Sequence, residues 1–121
     1  MREASIALFS YGTLQQPEVQ LANYGRLIDG EADTLPGYVL ASLLIEDPHV
    51  IAVSGKSVHM IAQPTGDPTD RVLGTVLFLT ETELHATDAY EEEAYTRVQA
   101  RLASGRVAFV YIDDAGPPIV R

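Results

Sequence analysis

The feature that most constrains this chain is an alternating run that doubles back on itself. Over 95–103, Val98, Ala100 and Leu102 fall on one face of an extended backbone, and Arg97, Gln99 and Arg101 on the other. Ser104-Gly105 follows as a two-residue turn. Val107, Phe109 and Tyr111 then line one face of a return strand. A period of two on both sides of a turn predicts an antiparallel hairpin of 95–103 with 106–112.

The rest of the chain repeats that theme in short pieces. Ile6-Ala7-Leu8-Phe9 reads as a buried strand over 5–10. It runs into Tyr11-Gly12-Thr13-Leu14, where Gly12 lets the backbone turn and present its N–H groups as an anion-binding concavity. Pro17 and Glu18 open a short helix, and Gly25 closes it. Residues 26–37 are rich in turn signals, Asp29-Gly30 and Pro36-Gly37 among them. Strands are expected at 38–45, 50–53, 58–62 and 71–79, with a polar loop at 64–70. Gly74 marks a bulge or a close backbone approach. Thr80-Glu81-Thr82-Glu83 is a capping box, so a helix starts near Glu81 and runs through Leu84, Thr87, Asp88 and Glu91 on one face. Six or seven short strands with two short helices, and no strand–helix–strand alternation, predict an α+β domain on a small, mixed, barrel-like sheet.

A chain of 121 residues is expected to be one domain, 1–121. That length buries roughly two-thirds of its unfolded surface, enough for one core. Eight basic against seventeen acidic residues leave a charge of −9. That disfavours nucleic acid and anionic membrane surfaces as partners. No apolar run approaches the roughly twenty residues of a membrane span. The acid in Met1-Arg2-Glu3-Ala4-Ser5 argues against a signal peptide. Without cysteine there is no disulfide, thiolate metal site or cysteine nucleophile, which is compatible with a cytoplasmic home.

Glu91 is the residue that invites chemistry. Seven residues after Leu84, it shares that residue's face of a helix and turns inward. Partial burial raises a carboxylate's pKa toward neutrality, as a general base needs. The bland alternative is that Glu91-Glu92-Glu93 is a solvated acidic run, the reading taken for Glu92 and Glu93. Arg97 pairs with Glu91 or Asp88, holds a substrate carboxylate, or lies on an exposed strand face. His49, His59 and His85 have no metal-ligand spacing, and no Gly-x-Ser-x-Gly elbow, P-loop or dinucleotide motif occurs.

Taken together, Phe9-Ser10-Tyr11-Gly12-Thr13-Leu14, Leu35-Pro36-Gly37-Tyr38, Val72-Leu73-Gly74-Thr75-Val76, Asp88-Ala89-Tyr90-Glu91, Tyr95-x-Arg97 and Ala108-Phe109-Val110-Tyr111 resemble the gamma-glutamylcyclotransferase-like superfamily over nearly the whole chain. The resemblance implies a small mixed β-barrel with flanking helices, and a cavity where the amides of Tyr11, Gly12, Thr13 and Leu14 face a catalytic glutamate. Carried over, that glutamate is Glu91, with Tyr95, Arg97 and Tyr111 as further substrate-binding residues. The family usually has glycine after the glutamate, where this chain has Glu92. The implied reaction is a cofactor-free transferase or lyase step. The α-amine of a γ-glutamyl amine or amino acid attacks its own γ-carbonyl and releases 5-oxoproline. The implied partners are a small-molecule γ-glutamyl substrate and, at most, a second copy in a homodimer. Two alternatives stand beside this reading: a non-catalytic binding module on the same fold, and an amide hydrolase in which Glu91 activates water.

Overall fold

The computed structural model describes residues 5–44, 48, 52, 58–91 and 95–113. Their order is β1 (Ile6–Ser10), a 3-10 turn (Thr13–Gln15), α1 (Pro17–Tyr24), β2 (Gly30–Pro36), β3 (Tyr38–Leu44), β4 (Val58–Pro64), β5 (Arg71–Leu79), α2 (Glu81–Tyr90), β6 (Tyr95–Arg101) and β7 (Val107–Asp113). The expected hairpin is present: β6 and β7 pair antiparallel from Tyr95↔Asp113 to Arg101↔Val107. Its loop is one residue longer than expected. Leu102 N–H donates to Arg106 O, and Gly105 N–H donates to Leu102 O, so Ala103, Ser104 and Gly105 form the connection. Gly105 sits at φ 93, the position where a three-residue hairpin needs a left-handed residue.

One mixed sheet holds all seven strands in the order β2-β5-β1-β7-β4-β3, with β6 on β7. The crowded strand is β7. Its full length on one edge is taken by β6. The other edge is shared: β1 pairs with it in parallel at Leu8↔Phe109, and β4 in parallel at Ala62↔Ile112. The outer strands β2 and β3 follow each other in sequence, with Gly37 alone between them. The sheet therefore curls enough to bring its outer strands together at the Gly37 corner, and it is not closed, since no ladder among the described residues joins β2 to β3. Gly37 makes that corner at φ 83, a conformation that disfavours residues with a Cβ. Its N–H donates to Asp70 O and its carbonyl accepts from Thr65 N–H, both at 2.8 Å.

The curl creates two cores. One face packs Phe9, Leu35, Ala62, Val72, Val76, Val110 and Ile112 inside the barrel-like curve. The other packs Leu8, Leu77, Leu79 and Tyr111 against Leu14, Val19 and Tyr90 of the turn and helices. Both helices follow from local signals. In α1, Pro17 stands in the first turn and Gly25 caps the end. In α2, Thr80 Oγ1 accepts from Glu83 N–H at 3.1 Å and Glu83 Oε1 accepts from Thr80 N–H at 2.9 Å, a complete capping box. Arg26 forks onto the same Glu83 carboxylate at 2.7 and 2.8 Å, which holds that carboxyl below its usual range. Among the described residues no helix is long and apolar enough to cross a membrane.

Three expectations change. The turn-rich stretch 26–37 contains a strand: β2 pairs with β5 along its whole length, from Gly30↔Leu77 to Pro36↔Arg71. It is an edge strand in which only Leu35 is buried, so it carries no apolar alternation. Ala52, the one described residue of the strand expected at 50–53, is helical; the rest of that stretch lies outside the described residues. Helix α2 stops at Tyr90, and Glu91 caps it with extended backbone, φ −71 and ψ 145. The face of α2 that turns inward carries Leu84, Thr87 and Tyr90.

Gly74 is a close approach. A Cβ there would stand 2.4 Å from Ser10 O and 2.7 Å from the Phe9 ring. Gly74→Ala is therefore expected to cost on the order of 1–3 kcal/mol, the range for overpacking a close-packed site. At Gly12 a Cβ meets nothing within 4 Å. Gly12→Ala is expected to leave stability within about 0.5 kcal/mol of native. Urea unfolding of both variants checks the contrast; equal midpoints would contradict it.

Candidate functional site

Where β1 leaves β7, the chain turns through 11–14. The turn's carbonyls are used. Gly12 O accepts from the Gln15 N–H and from Gln15 Nε2, both at 3.2 Å, and Thr13 O accepts from the Gln16 N–H at 2.9 Å. The Gly12 and Thr13 N–H groups find no acceptor among the described residues. They are the orphan donors that the start of any helical turn leaves behind.

Tyr11 anchors this turn. Its hydroxyl donates to Tyr111 O at 2.5 Å and accepts from Ala62 N–H at 3.0 Å. Those two bonds join β7 to β4 just where β1 departs. Thr13 Oγ1 and the Tyr90 hydroxyl share a hydrogen bond of 3.0 Å, which ties the turn to the end of α2. Tyr90 is itself buried. The residue after it is Glu91.

The result is a cavity of about 460 Å³, within the usual range for small-molecule sites. Ser10, Tyr11, Gly12, Thr13 and Leu14 form one wall, and Glu91, Tyr95 and Tyr111 face them. Glu91 is the one charged side chain among the described lining residues, and it is half-buried. Of the site residues expected from sequence, all but Arg97 line this space. Arg97 lies behind it, with Nε 3.3 Å from Asp88 Oδ1 and its guanidinium 4.7 Å from the centre of the Phe109 ring. His85 is exposed; His49, the His59 side chain, Glu92 and Glu93 lie outside what is described.

The route by which Glu91 arrives differs from the one its spacing suggested. It does not share a helix face with Leu84. Its N–H still donates to Thr87 O at 3.0 Å, and extended backbone at the cap then turns its carboxylate off the helix. Sequence reasoning also passed over Gln15, Gln16, Pro17 and Met60, which complete the lining. The first three directly follow the turn, and adjacency was the signal available. Met60 lies in mid-strand on β4 and meets the site only through sheet topology.

The electrostatics favour neutral phenols around a single carboxylate. Burial, then the bond to Asp88, then the Asp88 and Glu91 charges hold the Tyr111 hydroxyl well above the ordinary tyrosine range. Burial pushes Tyr24, behind the site, up to about 12. Both stay protonated at neutral pH. Among the described residues no cluster of three His, Asp or Glu is placed to hold a metal ion.

Residues 8–119 match the family model described as gamma-glutamyl cyclotransferase, AIG2-like. The chain belongs to that family. Known structures agree on the fold. An Arabidopsis thaliana protein solved in solution superposes with a TM-score of 0.67 at 21% identity, over 89% of this chain and 61% of that one. A gamma-glutamyl cyclotransferase does so with 0.67 at 15% identity, over 89% and 66%. An uncharacterized Homo sapiens protein gives 0.68 at 15%, over 92% and 68%. The chain thus spans 61% of the length of the Arabidopsis protein. Among curated proteins no sequence matches it.

Removing the Tyr11 hydroxyl tests the anchor. Tyr11→Phe strands the fully buried Ala62 N–H. It is expected to cost about 1–3 kcal/mol, the usual scale for a buried donor left unpaired. A melting temperature equal to native would contradict the role given to this hydroxyl.

Proposed function

We propose that this family member is a cyclotransferase that releases 5-oxoproline from a γ-glutamyl amine or amino acid, with Glu91 as general base. The observation that supports the reading is that Glu91 and the turn at 11–14 line the same cavity. The family points the same way.

The chemistry follows from the groups at hand. Glu91 takes a proton from the substrate's α-ammonium. The freed amine nitrogen attacks the γ-carbonyl carbon of the same molecule, closing a five-membered ring. The oxyanion that develops is met by the orphan N–H groups of Gly12 and Thr13, which need no reorganisation to receive it. The old C–N bond then breaks: the leaving nitrogen takes the proton held by Glu91, and the second proton of the ring nitrogen passes through the freed carboxylate to the same amine, which departs as an ammonium. Because both reacting ends belong to one molecule, the cavity's main contribution is to hold the chain folded on itself. Glu91 suits that proton shuttle as the one charged side chain among the described lining residues.

Glu91→Gln preserves size and hydrogen bonding and removes the basic oxygen. It is expected to lower 5-oxoproline release roughly a hundredfold or more, with melting close to native. Glu92→Gln and Glu93→Gln are expected to match the native protein. Gly12→Val is expected to fold, because open space surrounds the position, and to lose ligand binding as its branched side chain takes up room beside the donors. Release of 5-oxoproline from a panel of γ-glutamyl compounds reads all four variants. Full activity in Glu91→Gln would remove it from the reaction, and a protein that binds without turnover would be a binding module.

A further inference from the structure

Three tyrosines line the cavity, and their hydroxyls are committed differently. A phenol has one proton to give and lone pairs to receive with. Tyr11 uses both, donating to Tyr111 O and accepting from Ala62 N–H. Tyr95 gives its proton to Met60 O at 2.9 Å. Tyr111 gives its proton to Asp88 Oδ1 at 2.5 Å. Asp88 lies outside the cavity lining, in the last turn of α2, three residues before Glu91. Its Oδ1 is held from the other side by Arg97 Nε at 3.3 Å, and Arg97 is held in turn over the Phe109 ring. The chain of contacts is thus Phe109, Arg97, Asp88 and Tyr111.

We propose that Asp88 is a positioning residue: by taking the Tyr111 proton it leaves that oxygen as a hydrogen-bond acceptor beside Glu91, so the site selects ligands that carry an ammonium. The inference rests on the cyclotransferase reading and deepens it. A phenol free to rotate would donate as readily as accept, and beside the Glu91 carboxylate its proton would turn toward the carboxylate. With the proton drawn to Asp88, Glu91 and Tyr111 are two acceptors facing the cavity. An α-ammonium has three N–H donors to satisfy them. A ligand without the amine leaves the Tyr111 acceptor unmet, the costly outcome in a partly desolvated site.

The test compares one molecule with and without its amine. KM is measured for γ-glutamyl-butylamine, and Ki for N-butylglutaramic acid, the same compound lacking the α-amine. The native protein is expected to favour the amine-bearing compound. Tyr111→Phe and Asp88→Ala are each expected to shrink that preference about tenfold to a hundredfold, through KM with Ki little changed. Asp88→Asn keeps an acceptor oxygen at the same place and is expected to rescue the preference. Native preference in folded Tyr111→Phe, or equal loss in Asp88→Asn and Asp88→Ala, would overturn the positioning role while 5-oxoproline release continued. A native protein that binds neither compound and forms no 5-oxoproline would overturn the cyclotransferase reading and this inference together.

Discussion

The structure hangs on the hydroxyl of Tyr11. A strand has two edges, and β7 needs three neighbours. The conflict is resolved by letting β1 pair with its first half and β4 with its second. At the fork a ladder would leave Ala62 N–H and Tyr111 O without backbone partners, and the Tyr11 hydroxyl satisfies both. Everything that faces the cavity follows from that exchange. The chain after Tyr11 is released from the sheet, turns at Gly12, and lines the cavity with residues 11–14.

The opposite wall is brought in by two side-chain bonds to one helix end. Thr13 holds Tyr90, and Tyr111 holds Asp88. Between them they fix the last turn of α2, and with it the point where extended backbone delivers Glu91. Neither bond is long-lived in isolation; a typical one nets about 1 kcal/mol. Their value lies in position, since both act next to the residue on which the proposed reaction depends. The capping box and the Arg26 fork secure the other end of the same helix.

Much of this was legible in sequence where local chemistry decides. The 71–79 strand, the capping box at Thr80 and Glu83, and the helix from Pro17 to its Gly25 cap are written in adjacent residues, and they form as read. Strand β2 was not legible, because it is an edge with a single buried residue and its stability comes from pairing with β5. The end of α2 was misread by a residue because the periodic pattern continues past Tyr90 while the backbone does not. Tyr11, Gly12 and Glu91 stood out through the motif set that the family shares. Met60 did not, since its place beside the cavity is set by which strands meet β7, and no local pattern encodes that. Asp88 was legible as a partner of Arg97, and the structure adds its bond from Tyr111. Gly74 was legible as a special position, and the structure supplies the reason in Ser10 O and the Phe9 ring.

In the proposed reaction the substrate's own amine, rather than water, attacks the γ-carbonyl in this cavity. Turnover of a γ-glutamyl amine by the native protein in water enriched in oxygen-18 tests it directly, with the products read by mass spectrometry. Attack by the amine yields 5-oxoproline that carries no oxygen from the solvent. Free glutamate bearing one solvent oxygen in its γ-carboxylate would contradict it and make Glu91 a base for water instead.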